Sequence, residues 1–599
     1  MALDCLSGFL SDVRTGYSLS SVLGKLPSLH FSFGQTICPA CSGELVIQSL
    51  KTRKVYTVNY GTLQIKEHKK QCISCGQFYG SERLPLIVKK GSNYSYDCMV
   101  QVGLLRYREK KQISEIIRIF DSEYHFSISA TQVRRLAYSF LHYLGKFHYL
   151  HTGSINNYLA SQGGYILYID STCEGRAPHL LTCIDGISGF VLYSQKLVSE
   201  NQTDLKNALR KVKKLFGNPL CCVNDMGRGI NSALDVVFPF AARVICHFHL
   251  LRDIGKDLLN DTYQKVRKLL AKKEIYSDIR YQTKALEKQT GGLKTAQELF
   301  YRVNDCKKSS PELLQGILYG YLQRLKSREY NGDGYGFPFD RPKLVYYNDI
   351  KRIYAEMESI ENLQVFEHDL LVKCRFYKIK EVLGSVLSDN KLADEVKDLE
   401  LHIEYFDQLR DIMRITIPGN KKGLNDPGKI TSEKQLLDVE TELKKYVEKL
   451  KKQKHKLPKV QSVIKQLEKY WEKIFAGGIE TTVQGQLKTI FPQRTNNTSE
   501  QFYRRLKQNL RRLHGNSKVN KDLLYLPEEI ALIENLSNHQ YINHLMKNES
   551  QLATEFAKLD IQGKKLPYEK EELELVIPHK IKKTLKNFRP LECLKNLKY

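Results

Sequence analysis

The sequence contains no apolar run of about eighteen residues or more, which excludes a membrane-spanning helix by length. Its first residues, MALDCLSGFLSDVRTGYSLS, lack a basic stretch followed by a long apolar core, so export through a signal peptide is not expected. Acid is in short supply. Asp and Glu number 66 against 93 Lys and Arg, a net charge of +27. Such an imbalance points to a polyanionic partner, although a merely soluble basic protein would share it. With 42% hydrophobic residues and a mean hydropathy of −0.41, the composition is that of an ordinary soluble globular protein. The 599 residues exceed what one core can organise, and length alone suggests roughly four domains. Without an export signal, the 14 cysteines are expected as reduced thiols and metal ligands rather than disulfides.

Four of those cysteines stand as Cys38-Pro-Ala-Cys41 and Cys72-Ile-Ser-Cys75. Each CxxC turn presents two sulfurs, and together they complete a tetrahedral Zn²⁺ set. The β-branched segments VIQSL and KVYTVNYGTLQIKEH between them fit a zinc ribbon. A thioredoxin-like redox pair would need only one CxxC. The zinc is expected to be structural, because so short a module buries little core without a metal.

Farther along, Ile113, Ile116, Ile117 and Phe120 form one helical stripe. After DSEYHFSIS, a second helix carries Val133, Leu136, Ala137, Phe140, Leu141 and Leu144 on one face, with Ser129 as its expected N-cap. Thr131, Gln132, Arg134 and Arg135 then face outward on its first turns, where a helix-turn-helix presents side chains to the major groove. A helical hairpin between domains would carry the same pattern.

The stretch Gly164 to Leu250 reads as three strands, a helix, a strand, a short helix and a final strand, RVICHF. YILYI is apolar throughout, as in a strand covered on both faces, and stops at Asp170. DGISG joins HLLTCI to FVLYSQKL as a hairpin. The helix that follows is expected to be capped by Thr203 and ended by Gly217. LCCV then ends at Asn224-Asp225. Either aspartate alone reads as a turn former. Two strand-end carboxylates side by side would instead suit Mg²⁺ or Mn²⁺, two ions about 3.5–4 Å apart serving an in-line phosphoryl displacement. In TNNTSEQFYRRLKQNLRRLHG, Glu500 opens a helix with a Leu506, Leu510, Leu513 core face. Arg504, Arg505, Lys507, Arg511 and Arg512 crowd the remainder, as beside a DNA backbone. Asn497 and Glu500 also fit a capping box, and Glu480 in GGIETT competes for the role of third acid.

This order of elements, with Asp at the end of the first and fourth strands and an acid on a later helix, resembles an RNase H-like fold. With Cys246 and His249 as a Cys-x2-His pair after the second Asp, it is similar to DDE transposases of the Mutator-like and related bacterial insertion-sequence group. The resemblance implies cut-and-paste transposition, with Asp170, Asp225 and Glu500 as catalytic, metal-binding acids. It implies element ends and target DNA as double-stranded partners, and a homodimer or higher oligomer on DNA. Cys246 and His249 are two ligands only, too few for a second zinc, and are expected as active-site support. Long amphipathic helices over 261–488 match the helical insertion such transposases carry; within them, Leu436 to Leu450 and Val460 to Ile474 read as a self-packed heptad hairpin.

The fold class expected is therefore an α/β RNase H-like core, a mixed sheet with flanking helices, interrupted by a large all-α insertion. The organisation expected is an unassigned segment at 1–35, a zinc ribbon at 36–85, a helix-turn-helix region at 95–150 and the first part of the core at 160–260. The insertion follows at 261–488, the core's last helix at 489–517 and a basic helical region at 518–599. The placement expected is cytoplasmic and nucleoid-associated in a bacterium, nuclear in a eukaryote. Two other readings stay open: a domesticated, non-catalytic sequence-specific DNA-binding protein, or an RNase H-like structure-selective nuclease.

Overall fold

The computed structural model describes residues 26–302, 310–328, 336–362, 369–415, 433–453, 458–546 and 551–563. The loop TIPGNKKGLNDPGK and the basic end IPHKIKKTLKNFRPLECLKNLKY lie outside the described residues. The chain is mixed α/β with a large helical part, and it divides into two units. One holds the segments up to Val244, Gly478–Pro492 and those from Asn496 onward; the other holds Ile245–Gly477 and Gln493–Thr495.

The first unit opens on strands β1 (Ser28–Ser32), β2 (Leu45–Thr57), β3 (Gly61–Cys72) and β4 (Phe78–Tyr79). β2 and β3 form a long antiparallel hairpin, β1 lies parallel to β3, and β4 folds back antiparallel on the end of β3. Val55, Leu63, Ile65, Leu84 and Val88 make its small core, and the four cysteines gather at the other end. Helices α1 (Tyr96–Gly103), α2 (Ile113–Ser122), α3 (Ala130–Leu150) and α4 (Thr152–Ser161) follow. Ser129 caps α3, its side chain accepting from Gln132 N at 3.2 Å. α1 crosses α3 at Gly103, where a Cβ would lie 2.1 Å from the Phe140 ring.

Next comes a five-stranded sheet of β5 (Ile166–Thr172), β6 (His179–Asp185), β7 (Val191–Leu197), β8 (Cys221–Asn224) and β9 (Ala242–Ile245), in the order β7-β6-β5-β8-β9. β5 is antiparallel to β6 and parallel to β8, so the direction changes at β5. Helix α5 (Gln202–Phe216) joins β7 to β8, and α6 (Arg228–Val237) joins β8 to β9. Leu205, Ala208, Leu209, Val212 and Phe216 of α5 are all buried. Full burial of such a side chain is worth about 1.5–3 kcal/mol, so this stripe fixes the helix. The cap of α5 is Asn201, not Thr203: the Asn201 side chain accepts from Asp204 N at 2.9 Å. Gly217 ends the helix at φ 76, a conformation that favours glycine.

In the second unit, α7 (His247–Lys272) is followed by α8 (Ile275–Gln289), α9 (Leu293–Tyr301), α10 (Pro311–Arg328), α11 (Pro342–Asn362), α12 (Leu370–Leu387), α13 (Asn390–Met413), α14 (Glu433–Gln453) and α15 (Pro458–Ile474). The strand expected over RVICHF is shorter: β9 stops at Ile245, and His247 starts α7 with its backbone N donating to Arg494 O at 2.7 Å. From there Leu250, Leu251, Ile254 and Leu258 are buried at helical spacing, and that period overrides the strand. α14 and α15 pack on one another, burying Leu436, Val439, Leu443 and Leu450 of one and Val460, Val463 and Leu467 of the other.

Back in the first unit, β10 (Ile479–Val483) and β11 (Gln486–Ile490) form an antiparallel hairpin within a stretch expected to be almost wholly helical. Gln484 and Gly485, at φ 51 and 80, make its two-residue turn. Then come α16 (Asn497–His514), α17 (Asn520–Tyr525), a 3₁₀ segment (Glu528–Ser537), α18 (His539–Leu545) and α19 (Leu552–Gln562). The 3₁₀ segment covers β7, an edge strand. Asn535 behaves there like a sixth strand, donating Nδ2 to Val191 O at 2.9 Å and accepting from Val191 N at 2.7 Å. An exposed edge is a site of unwanted pairing, and this covering blocks it. Among the described residues no helix is long and apolar enough to cross a membrane.

Asn535→Ala leaves both Val191 groups buried without those partners. It is expected to lower stability by about 1–3 kcal/mol in urea unfolding followed by far-UV circular dichroism.

Candidate active site

The register of the sheet brings the two aspartates together. β5 and β8 run parallel with Ile166 beside Cys221 and Ile169 beside Asn224, so one further step along both strands reaches Asp170 and Asp225. Asp170 still pairs across its other edge with Thr182 of β6. Each carboxylate is steadied by a backbone amide just beyond it: Asp170 Oδ1 accepts from Ser171 N at 2.8 Å, within β5, which runs on to Thr172 rather than stopping at Asp170, and Asp225 Oδ1 accepts from Gly227 N at 2.9 Å.

The third acid arrives on α16, whose N-cap is Asn496 rather than Asn497. Asn496 makes no capping side-chain bond, so Glu500 stands one place beyond the N3 position and the Asn497–Glu500 capping box does not form. Glu500 is exposed. One turn on, Tyr503 is buried and plants its hydroxyl in the sheet beside Asp170. That hydroxyl lies 2.7 Å from Asp170 O and 2.9 Å from Leu180 O, to which it donates, and it accepts from Thr182 Oγ1 at 2.7 Å. Burial, and then the charge of Asp170, push the phenol well above its usual range, which keeps it a donor. Residues i and i+3 share a helix face, so the Tyr503 anchor holds Glu500 over the same end of the sheet.

The electrostatics agree with that placement. Burial, then the charges of Asp225, Glu500 and Glu200, raise Asp170 from 3.8 to about 8, against the lowering effect of the Ser171 amide. Glu480, the competing third acid, lies on the β10–β11 hairpin opposite Thr489.

Sequence reading missed Tyr503 and a neighbouring group of Ser171, His179 and Glu200. Ser171 Oγ donates to Glu200 Oε1 and lies 3.3 Å from His179 Nδ1, and His179 Nδ1 is 3.5 Å from Glu200 Oε1. The available signals were weak: a tyrosine three residues after the acid, and a polar residue directly after the strand-end aspartate.

At the N-terminal end, Sγ of Cys38, Cys41, Cys72 and Cys75 all lie within 4.8 Å of one another. Cys38 is 3.7 Å from Cys75 and Cys41 is 3.4 Å from Cys72. Tetrahedral Zn²⁺ with bonds of about 2.3 Å spaces its sulfurs by about 3.8 Å, so the set fits a zinc ion. The Tyr79 hydroxyl, 3.2 Å from Cys38 Sγ, lowers that thiol to about 6, toward the thiolate a metal needs. Among the described residues this is the one cluster of Cys, His or carboxylate groups close enough to hold a metal without rearrangement.

Cys246 and His249 lie in the second unit, at the N-cap and first turn of α7. Both are buried, and burial, then the charges of Arg252 and Lys256, lower His249 to about 4. Arg134 and Arg135 are exposed on α3 and Gln132 is half-buried. On α16, Arg504 and Arg512 are exposed and Lys507 is half-buried. Arg505 is instead paired with Glu534, and Arg511 reaches Ser517 O and Glu174, so these two are engaged within the protein.

The described geometry defines a mixed α/β protein with Asp170 and Asp225 on neighbouring strands of its five-stranded sheet and a four-cysteine centre. No family model and no curated protein matches the sequence. Among solved structures, the strand transfer complex of Drosophila P element transposase matches over 76% of this chain and 94% of that one, at 10% identity and a TM-score of 0.30. So distant a likeness leaves the residues themselves to carry a functional reading.

Two outcomes follow from the site. Without metal, the folded chain holds a proton on Asp170 between pH about 3.8 and about 8 that the unfolded chain releases. Stability therefore falls as pH rises through that window, and the full cost is present above it. In EDTA, Asp170→Asn is expected to be more stable than the native chain at pH 8, on the order of 2 kcal/mol after allowance for solvent screening, and equal to it near pH 4. Urea unfolding at the two pH values measures this. Zinc analysis by atomic emission is expected to give about one equivalent per chain, lost in Cys72→Ser.

Proposed function

We propose that the chain is a metal-dependent DNA transposase that binds the ends of a mobile element and carries out strand cleavage and strand transfer. What supports this reading most is that the parallel pairing of β5 with β8 leads to Asp170 and Asp225 on neighbouring strands, with Glu500, on α16 one turn before Tyr503, near enough to act on the charge of Asp170. The strand order, with three antiparallel strands followed by two more on the other side of β5, supports an RNase H-like core.

The donor set fits hard divalent cations. All three side chains offer oxygen, and the charges that act most strongly on Asp170 are themselves carboxylates, an arrangement that an added cation relieves. Asp170, Asp225 and Glu500 would hold Mg²⁺ or Mn²⁺, two ions when fully loaded, which supply Lewis-acid stabilisation of the phosphoryl group. The chain's own contribution is to fix those oxygens on rigid elements and to steady Asp170 and Asp225 through the Ser171 and Gly227 amides. Water serves as the first nucleophile and a DNA 3′-hydroxyl as the second, with no covalent protein intermediate.

In this reading the zinc ribbon and the α2–α3 pair, a helix-turn-helix, recognise element ends through Gln132, Arg134 and Arg135. Arg504, Lys507 and Arg512 contact backbone phosphates beside the acids, and the charge of +27 draws the duplex in. A dimer or higher assembly on DNA brings two ends together. Arg505 and Arg511 contribute to DNA contact only by leaving their present partners.

The test uses DNA fragments that flank the coding gene, incubated with the full chain and Mg²⁺. Strand cleavage at a defined position and joining to a second duplex are expected. Asp170→Asn and Asp225→Asn should each reduce cleavage by at least about a thousandfold while end binding in a gel shift changes by less than about threefold. Full cleavage in either variant refutes the reading.

A further inference from the structure

The first unit contains a cavity of about 580 Å³ that the proposed chemistry does not use, between α2, α3, the end of α16 and α17. Its size is that of a small-molecule site, and its lining mixes apolar side chains with a few convergent polar ones, as ligand pockets do. Two aromatic rings at its rim are open to solvent, Tyr138 at 45% and Tyr525 at 71% exposure. Arg134 stands on the same helix face, one turn before Tyr138, and is exposed.

Beneath them is a buried cation. Arg106 belongs to a π-helical turn, Leu104–Arg108, a distortion often found at functional sites. Its guanidinium donates to Lys111 O at 3.0 Å and Leu513 O at 3.2 Å, and the Asp522 carboxylate, shared with His514, is near enough to act on its charge without a direct ion pair between them among the described contacts. Burial lowers its affinity for a proton, and the positive charge of nearby Arg134 adds to that. His514, paired with Asp522 at 2.5 Å, and Gln112, bonded to Arg512 O at 2.7 Å, complete the polar wall. An anion in this cavity would meet two guanidinium groups, and a flat ring would meet two exposed phenols. Stacking on an exposed aromatic together with an arginine on the phosphate is how unpaired nucleotides are held.

We propose that this cavity binds one unstacked nucleotide, its base against Tyr138 and Tyr525 and its phosphate on Arg134 with Arg106 behind. The proposal rests on the DNA-binding part of the function proposed above, and it adds a subsite for a base that has left the duplex. His514 and Glu500 lie on one helix, so at about 1.5 Å per residue the cavity is about 21 Å from the acids along α16. At about 3.4 Å per duplex step, that is about six nucleotides from the reacting phosphate.

The test uses the full chain and three DNAs of one sequence: a perfect duplex, the duplex with a one-nucleotide bulge, and the same bulge made abasic. Fluorescence anisotropy is expected to show about tenfold tighter binding of the bulge than of its abasic twin. Tyr525→Ala should bring that ratio to about one, and Arg134→Gln should weaken the bulge complex further. Titration with a free fluorescent deoxynucleoside monophosphate separates the sources. Tight, Tyr525-dependent binding of the mononucleotide assigns the cavity to a free nucleotide, and binding of the bulge alone assigns it to a base within a strand. Equal affinity for the base-containing and abasic bulges, with no mononucleotide binding, overturns the proposal, as does a preference that survives both substitutions. If no duplex binds at all, it is the DNA function that fails, and the mononucleotide titration still decides the cavity.

Discussion

The hydroxyl of Tyr503 joins the two parts of the chain that the site needs. It sits in the sheet between Asp170 O, Leu180 O and Thr182 Oγ1, and so ties α16 to the strand that carries Asp170. Without that tie, Glu500 would stand on a helix whose remaining buried face, Phe502, Leu506, Leu510 and Leu513, fixes its depth but not its register along the strands. A neutral phenol held by three polar partners in a dry setting is directional in a way that packing is not. The sheet supplies the other half of the constraint: parallel pairing of β5 with β8 sets Asp170 beside Asp225 by register alone.

This placement has an electrostatic cost. Burial, and then the charges of Asp225 and Glu500, push Asp170 to about 8, and Glu200 adds to the crowding without belonging to the expected triad. Clusters of that kind weaken a fold unless something offsets them, and a bound cation does so directly. Glu200 is also tied to Ser171 and His179, which holds a fourth acid at a fixed place beside the first. At the four-cysteine centre the thiols divide: Tyr79 lowers Cys38 and Cys72 is lowered as well, which favours the charged form that a metal binds, while Cys41 and Cys75 are raised.

Much of this frame was legible in the sequence. The apolar strands, the DGISG hairpin and the CxxC pairs are local patterns with counterparts in the structure, although β5 does not stop at Asp170 but runs on to Thr172, held there by pairing with β6. The helix stripes of α3, α5 and α14 are likewise buried as their spacing requires. What was not legible depended on distant partners. RVICHF has strand composition, yet its second half turns helical because it opens the buried stripe of α7, Leu250, Leu251, Ile254 and Leu258, with the first helical amide, His247 N, satisfied by the Arg494 carbonyl. The β10–β11 hairpin turns on Gln484-Gly485, a weaker signal than Asn-Gly. Asn201 took the cap assigned to Thr203, since both residues are capable and only the observed geometry separates them. Tyr503 and Glu200 acquire meaning only once β5 is placed beside them, and Arg505 and Arg511, read as DNA contacts, are engaged by acids and carbonyls from elsewhere in the chain.

The central claim is that Asp170, Asp225 and Glu500, far apart in the chain, act as one cation site. Electron paramagnetic resonance of Mn²⁺ added to the full-length protein measures this directly, through the loss of the free-ion signal. The account predicts that Asp170→Asn, Asp225→Asn and Glu500→Gln each weaken Mn²⁺ binding by about tenfold or more. Binding by Glu500→Gln equal to that of the native chain would contradict it.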